Sequence, residues 1–241
     1  MNSETQKPVT TSRTPDYSVP WKFIDNWIGV ALLAVIDVVI FVIMLGQERR
    51  AELAQSAAVV LLELAYLLPV IFIFAWRGIH WRHLRFAKFE WNTLRMGCGL
   101  LIGSYVIIIL HNVLLFLLGV DTQGENIVKL FAELDSPVWF FIVGAVFAPL
   151  VEEIFFRGFL FQGFRERYGW VSGMLISAAI FAVAHLDLVV LIPTFILGCL
   201  LAYVYHSSNS IWPGILLHFL VNSFGLLGAY FASNYQNLIP T

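Results

Sequence analysis

The fold class this sequence predicts is all-α, a polytopic bundle of about seven transmembrane helices with six to eight as the working range. Composition, long apolar runs and alternating basic loops carry that expectation. Of 241 residues, 59% are hydrophobic and 12% charged, with a mean hydropathy of +0.81. A soluble domain of ordinary usage carries about a quarter of its residues charged to cover its surface. Lipid, not water, suits most of this chain.

Crossing the hydrocarbon core takes about 20 mostly apolar residues. The runs that qualify are Trp27 to Leu45, Ala57 to Trp76, Gly97 to Leu118, Pro137 to Phe161, Val171 to Leu186, Leu188 to Tyr205 and Ile211 to Phe231. The fifth and sixth are short and nearly continuous, so one element bent at Pro193 competes with two helices there. Residues 1–26 read as a polar tail, 27–136 as three spans with a basic loop at 77–96, and 137–231 as a four-span core. The tail holds Pro8, Pro15 and Pro20 without an early apolar region, so no cleavable signal peptide is expected.

The stretch from Arg77 to Arg95 holds Arg77, Arg82, Arg85, Lys88 and Arg95, whereas Gly119 to Ser136 shows Asp121, Glu125, Glu133 and Asp135 against Lys129. Basic loops stay on the cytoplasmic side, so the N-terminus is expected inside and, with seven spans, the C-terminus outside. The basic stretch interleaves Trp76, Trp81, Phe86, Phe89 and Trp91. That pattern fits an interfacial helix on anionic lipid, and equally a basic loop with an aromatic belt. A net charge of −2 gives no basic field for nucleic acid. Cys98 and Cys199 lack metal-type spacing and read as packing residues.

An ionisable group at membrane depth is costly unless it meets partners or a cavity. Asp37, Glu63 and the pair His111 and Asn112 stand nearly alone in the first three spans, and an interhelical hydrogen bond or a neutral acid accounts for them. The fourth span differs: Glu152, Glu153 and Arg157 lie together in an apolar helix. Helical spacing puts Glu153 and Arg157 on one face, where a bidentate pair neutralises the charge, and turns Glu152 about 100° away, free for acid–base chemistry. His185 offers a second proton acceptor near the end of the fifth span. His218 and Asn222 share one face of the last. Counted at about 1.5 Å per residue, Glu152 and His185 lie roughly 20 Å from the basic side and His218 with Asn222 roughly 12 to 18 Å. A common site follows.

Read in order, Glu152-Glu153-x-x-x-Arg157, Phe181-x-x-x-His185 and His218-x-x-x-Asn222 resemble the three motifs of the CPBP family, which comprises type II CAAX prenyl endopeptidases and bacteriocin-processing or immunity proteins of the Abi group. The resemblance covers about residues 137 to 231. It implies an intramembrane endopeptidase in which Glu152 and His185 activate water, His218 and Asn222 donate to the oxyanion, and Glu153, Arg157 and Phe181 support the site. The substrate it implies is a membrane-anchored protein or peptide, prenylated or not. Two chemistries stay open: one without a cofactor, favoured because Asn222 is a poor zinc ligand and no His-Glu-x-x-His helix occurs, and a zinc site on Glu152, His185 and His218. Partners are membrane lipid and that substrate. A multi-pass protein of a prokaryotic plasma or inner membrane is expected. The competing classes are a proton-coupled transporter, against which the absence of repeated halves speaks, and a non-catalytic immunity or scaffold protein, which would lack a motif residue.

Overall fold

The computed structural model describes residues 17–45, 61, 63–122, 124–125, 127–128, 131 and 137–236. Among these the regular elements are helical: α1 (Phe23–Leu45), α2 (Leu67–Arg77), a single 3-10 turn (Trp81–Leu84), α3 (Trp91–Leu117), α4 (Val138–Tyr168), α5 (Trp170–Ala184), α6 (Leu191–Ser208) and α7 (Trp212–Gln236). Five of them, α1, α3, α4, α6 and α7, are long and apolar enough to cross a membrane. The described part of α2 has 11 residues, with further helical residues at 61 and 63–65, and α5 has 15. The beginning of the second expected span and the loop residues Lys129, Glu133 and Asp135 lie outside the described residues, as does most of the polar tail.

The fifth and sixth runs are two helices, not one bent element. Leu186 takes a left-handed φ of 51°, and the Asp187 carboxylate accepts from the Val189 N–H at 2.8 Å, turning the chain. Pro193 falls in the first turn of α6, where its missing N–H would have had no helical partner in any case. The basic stretch is likewise not an interfacial helix. It leaves α2 through Gly78, makes one 3-10 turn and runs without helix from residue 85 to 90. Tertiary bonds hold it there: the Arg85 carbonyl accepts from Ile211 N–H at 3.1 Å, and Ser210 Oγ donates to the Ala87 carbonyl at 2.6 Å.

Those bonds also order the ends of the helices. Arg77 pairs with Asp25 at 2.7 Å, joining the end of α2 to the start of α1. Arg85 Nε donates to Gln162 Oε1 at 2.9 Å, joining the stretch before α3 to the last third of α4. With the α6–α7 turn tied to the same stretch, one end of the bundle gathers the basic residues and the helices alternate away from it and back.

The core lies around α4. Phe155, Phe156, Phe159, Phe161 and Phe164 are fully buried and pack with Trp21, Phe74, Phe181 and Tyr205 from four other segments. The outer faces of α1 and α3 instead expose Val35, Val38, Ile102 and Phe116, as helices bathed in lipid do. Two stretches of α4, Ile142–Phe147 and Ile154–Phe161, are wound as wide π-helix. Widening a helix loosens its carbonyl ladder, and side chains make use of this. The carbonyls of Gly144, Gly158 and Leu160 accept from Asn222, Gln162 and Asn26.

Candidate active site

Between the two wide stretches, Ala148–Glu153 is ordinary α-helix and carries both glutamates into the interior. Arg157 Nη1 donates to Glu153 Oε1 at 2.7 Å, with both side chains about 1% exposed. The expected bidentate pair is absent: Nη2 of Arg157 turns instead to the Gly198 carbonyl on α6, at 3.3 Å. The guanidinium thus joins α4 to α6, and its cationic face lies 4.4 Å over the Phe181 ring of α5.

His218 of α7 is inserted between the two glutamates. Its Nδ1 lies 3.2 Å from Glu153 Oε1, and its Nε2 lies 3.7 Å from Glu152 Oε2. The first is a hydrogen bond; the second is too long for one. A side chain at position 214 would spoil this approach, because a Cβ there would stand 2.8 Å from Glu153 Oε2. Glycine at 214, one turn before His218, is what lets α7 lie against α4. Glu153 Oε1 therefore serves two partners, while Oε2 of both Glu152 and Glu153 has no hydrogen-bond partner among the described residues, although Glu152 is only 7% exposed.

His185 caps α5. Its Nδ1 lies 2.8 Å from the Phe181 carbonyl; a carbonyl only accepts, so Nδ1 is the donor, and Nε2 makes no hydrogen bond with the described residues. The Phe181 ring stands between the two histidines, 4.8 Å from His185 and 5.8 Å from His218, centre to centre. His185 makes no hydrogen bond or ion pair with Glu152, Glu153 or His218. Asn222, one turn beyond His218, donates through Nδ2 to the Gly144 carbonyl at 2.8 Å, leaving its second N–H.

The structure thus brings Glu152, Glu153, Arg157 and His218 into one contact group, with Phe181 against it, and sets His185 and Asn222 on its margins. Two residues that stood alone in the sequence join it. Glu63 and Asp37 interact electrostatically with each other, and Glu63 with Glu152. Tyr66, whose ring packs 5.8 Å from Phe156, feels all three carboxylates. The pair His111 and Asn112 stays on the exposed face of α3, 3.3 Å apart. The sequence held no sign of the Gly198 carbonyl or of the room provided at position 214, since both depend on which helices become neighbours.

For a metal, the donor set does not converge: among the described residues no three of His, Cys, Asp and Glu are placed to hold one ion. Glu153 is committed to Arg157, and His185 stands apart from the other expected ligands.

A buried glutamate pair, a guanidinium and a histidine at the centre of an apolar helical bundle define a polytopic membrane protein with a buried polar centre. Residues 134–224, which hold that centre, match the family model described as type II CAAX prenyl endopeptidase Rce1-like. Among curated relatives, "Putative membrane peptidase YdiL" of Bacillus subtilis (strain 168) is 28% identical over 109 residues, 45% of either chain. An "Uncharacterized 24.3 kDa protein" of Escherichia coli is 34% identical over 106 residues, 41% of this chain and 49% of that one. The chain thus spans about half the length of the curated relatives it matches. No solved structure matches it.

Proposed function

We propose that this protein is an intramembrane endopeptidase that hydrolyses peptide bonds of membrane-associated proteins or peptides, C-terminally prenylated ones among them, without a metal. The observation that carries this reading is Glu152: a buried carboxylate with one oxygen unpartnered, facing a histidine nitrogen across 3.7 Å. Its neighbour Glu153 is neutralised by Arg157, so Glu152 is the carboxylate available for proton transfer.

In the proposed cycle Glu152, assisted by the free Nε2 of His185, takes a proton from water as its oxygen attacks the peptide carbonyl carbon. The carbonyl π bond opens to an oxyanion, which receives hydrogen bonds from His218 and Asn222. Collapse of the tetrahedral intermediate breaks the C–N bond, and the proton held by Glu152 passes to the departing amine. Phe181 fixes both imidazoles by ring contact. Arg157 holds Glu153 and, through Gly198, the spacing of α4 and α6.

The test is cleavage of quenched fluorogenic peptides, prenylated and unprenylated, by the purified protein and by Glu152→Ala, each with and without a strong chelator. Cleavage that requires Glu152 and survives chelation is expected. Full activity in Glu152→Ala sinks the mechanism, and loss on chelation with recovery on added zinc replaces it by metal-assisted hydrolysis.

A further inference from the structure

A second polar feature lies at the basic end of the bundle, well away from Glu152. A pocket of about 290 Å³ is lined by Arg82, His83 and Arg85 from the segment between α2 and α3, by Gln162 of α4, and by residues 18–20. That volume holds on the order of ten waters. Gln162 is ten residues beyond Glu152 along α4, roughly 15 Å by helical rise.

Its charges are one-sided. Arg82 makes no side-chain hydrogen bond or ion pair with the described residues. Arg85 uses only Nε, on Gln162 Oε1, so its two terminal nitrogens have no hydrogen-bond partner among the described residues. Arg165, near the end of α4 and 1% exposed, has no hydrogen-bond partner for its three guanidinium nitrogens among the described residues, and its face lies 4.3 Å over the Tyr17 ring. Arg165 and Arg85 repel one another electrostatically. Partial burial, with the charges of Arg82 and Arg85 after it, lowers the pKa of His83. One carboxylate touches the rim: Glu166 accepts from the Val19 N–H at 3.4 Å. A buried, uncompensated guanidinium is costly, and two in mutual repulsion are costlier; an anion in the pocket offsets both.

We propose that this pocket binds a phosphate oxyanion, supplied by the headgroup of an anionic phospholipid. Depth selects the lipid as its source. The pocket sits where the helix ends gather, ringed by exposed Trp76, Trp81, Phe86 and Trp212, and such aromatic belts mark the headgroup layer. Lysine and arginine at that depth draw anionic lipid. Gln162 shapes the floor, its amide fixed by the His83 carbonyl at 2.8 Å and by Gly158, so that Arg85 is held with its terminal nitrogens free. The site stands independently of the proposed peptidase activity.

The experiment uses the full chain in neutral detergent, titrated with phosphatidylglycerol, phosphatidylcholine or inorganic phosphate. Bound lipid is counted by native mass spectrometry and the unfolding midpoint is followed. Phosphatidylglycerol is expected to be retained at one per chain and to raise the midpoint by on the order of 5 °C near saturation, with phosphatidylcholine inert. Arg82→Gln, at an exposed position, should weaken retention at least fivefold, whereas Lys88→Gln in the same segment should not. Equal weakening by Lys88→Gln would mean diffuse surface attraction and overturn the site. An equal shift from inorganic phosphate, with nothing added by phosphatidylglycerol, overturns the lipid and leaves a soluble anion. No effect of any probe overturns both.

Discussion

At the scale of single residues the proposed mechanism divides the site into groups that perform chemistry and groups that hold them. Removing Asn222 tests the first kind: Asn222→Ala should fold normally and lose about 10²- to 10³-fold in turnover, the ordinary cost of one oxyanion donor, read from single-turnover peptide cleavage. Removing Arg157 tests the second. Its guanidinium serves Glu153, Gly198 and the Phe181 face together. Arg157→Leu strands the Glu153 carboxylate in a dry interior and should cost about 3 to 5 kcal/mol, a fall in the unfolding midpoint on the order of 10 °C, alongside lost activity. An unchanged midpoint would mean that Glu153 is not charged in the folded protein. The four-residue rule identified this pair correctly, because both partners sit on one helix and helical geometry is local. It overstated the isolation of Glu152, since nothing local says that His218 of α7 enters between the two glutamates. Asp37 and Glu63 were read as solitary for the same reason. The approach of Glu63 to Glu152 and of Asp37 to Glu63 depends on how α1 and the helical residues before α2 pack, and spans that are apolar on nearly every side carry little periodic record of which face meets which neighbour.

At the scale of elements, α4 matters through its winding and α7 through its closeness. Runs of apolar residues located the helices well, but the wide stretches Ile142–Phe147 and Ile154–Phe161 have no mark in composition. They become visible only when the displaced carbonyls find Asn222, Gln162 and Asn26. The fit of α7 against α4 rests on Gly214. Gly214→Val would drive carbon atoms into Glu153 Oε2, already 2.8 Å from a bare Cβ. The contact cannot relax by rotation of Glu153, whose other oxygen is held by Arg157 and His218. The expected outcome is displacement of α7, with at least a hundredfold loss of cleavage and a lowered midpoint. Retention of full activity would show that His218 does not need this register. Gly214→Ala should fall between the two, which separates a graded steric effect from general misfolding.

At the scale of the whole molecule, the alternation of basic and acidic loops anticipated a bundle whose helices run back and forth from one basic end, and the ties between Arg77 and Asp25, Arg85 and Gln162, and Ser210 and Ala87 give that end its structure. As its short apolar run implied, α5 is short. Its 15 residues rise about 22 Å, less than the roughly 30 Å of hydrocarbon, so the turn from His185 to Val190 is sunk below the far surface. Non-helical backbone at that depth survives only where protein or water covers it, and the proposed hydrolysis would draw its water through such a turn. Labelling with a membrane-impermeant maleimide tests this, after both native cysteines are replaced. Lys88→Cys and Ser207→Cys should label from one side of sealed vesicles, and Val120→Cys from the other. Asp187→Cys should label from the Val120 side, but several-fold more slowly, because the reagent must enter a recess. If Asp187→Cys labels as fast as Val120→Cys, the turn lies at the surface and water reaches Glu152 by another path; if it labels with Lys88→Cys, α5 does not run toward the far side and the alternation of the last three helices is wrong.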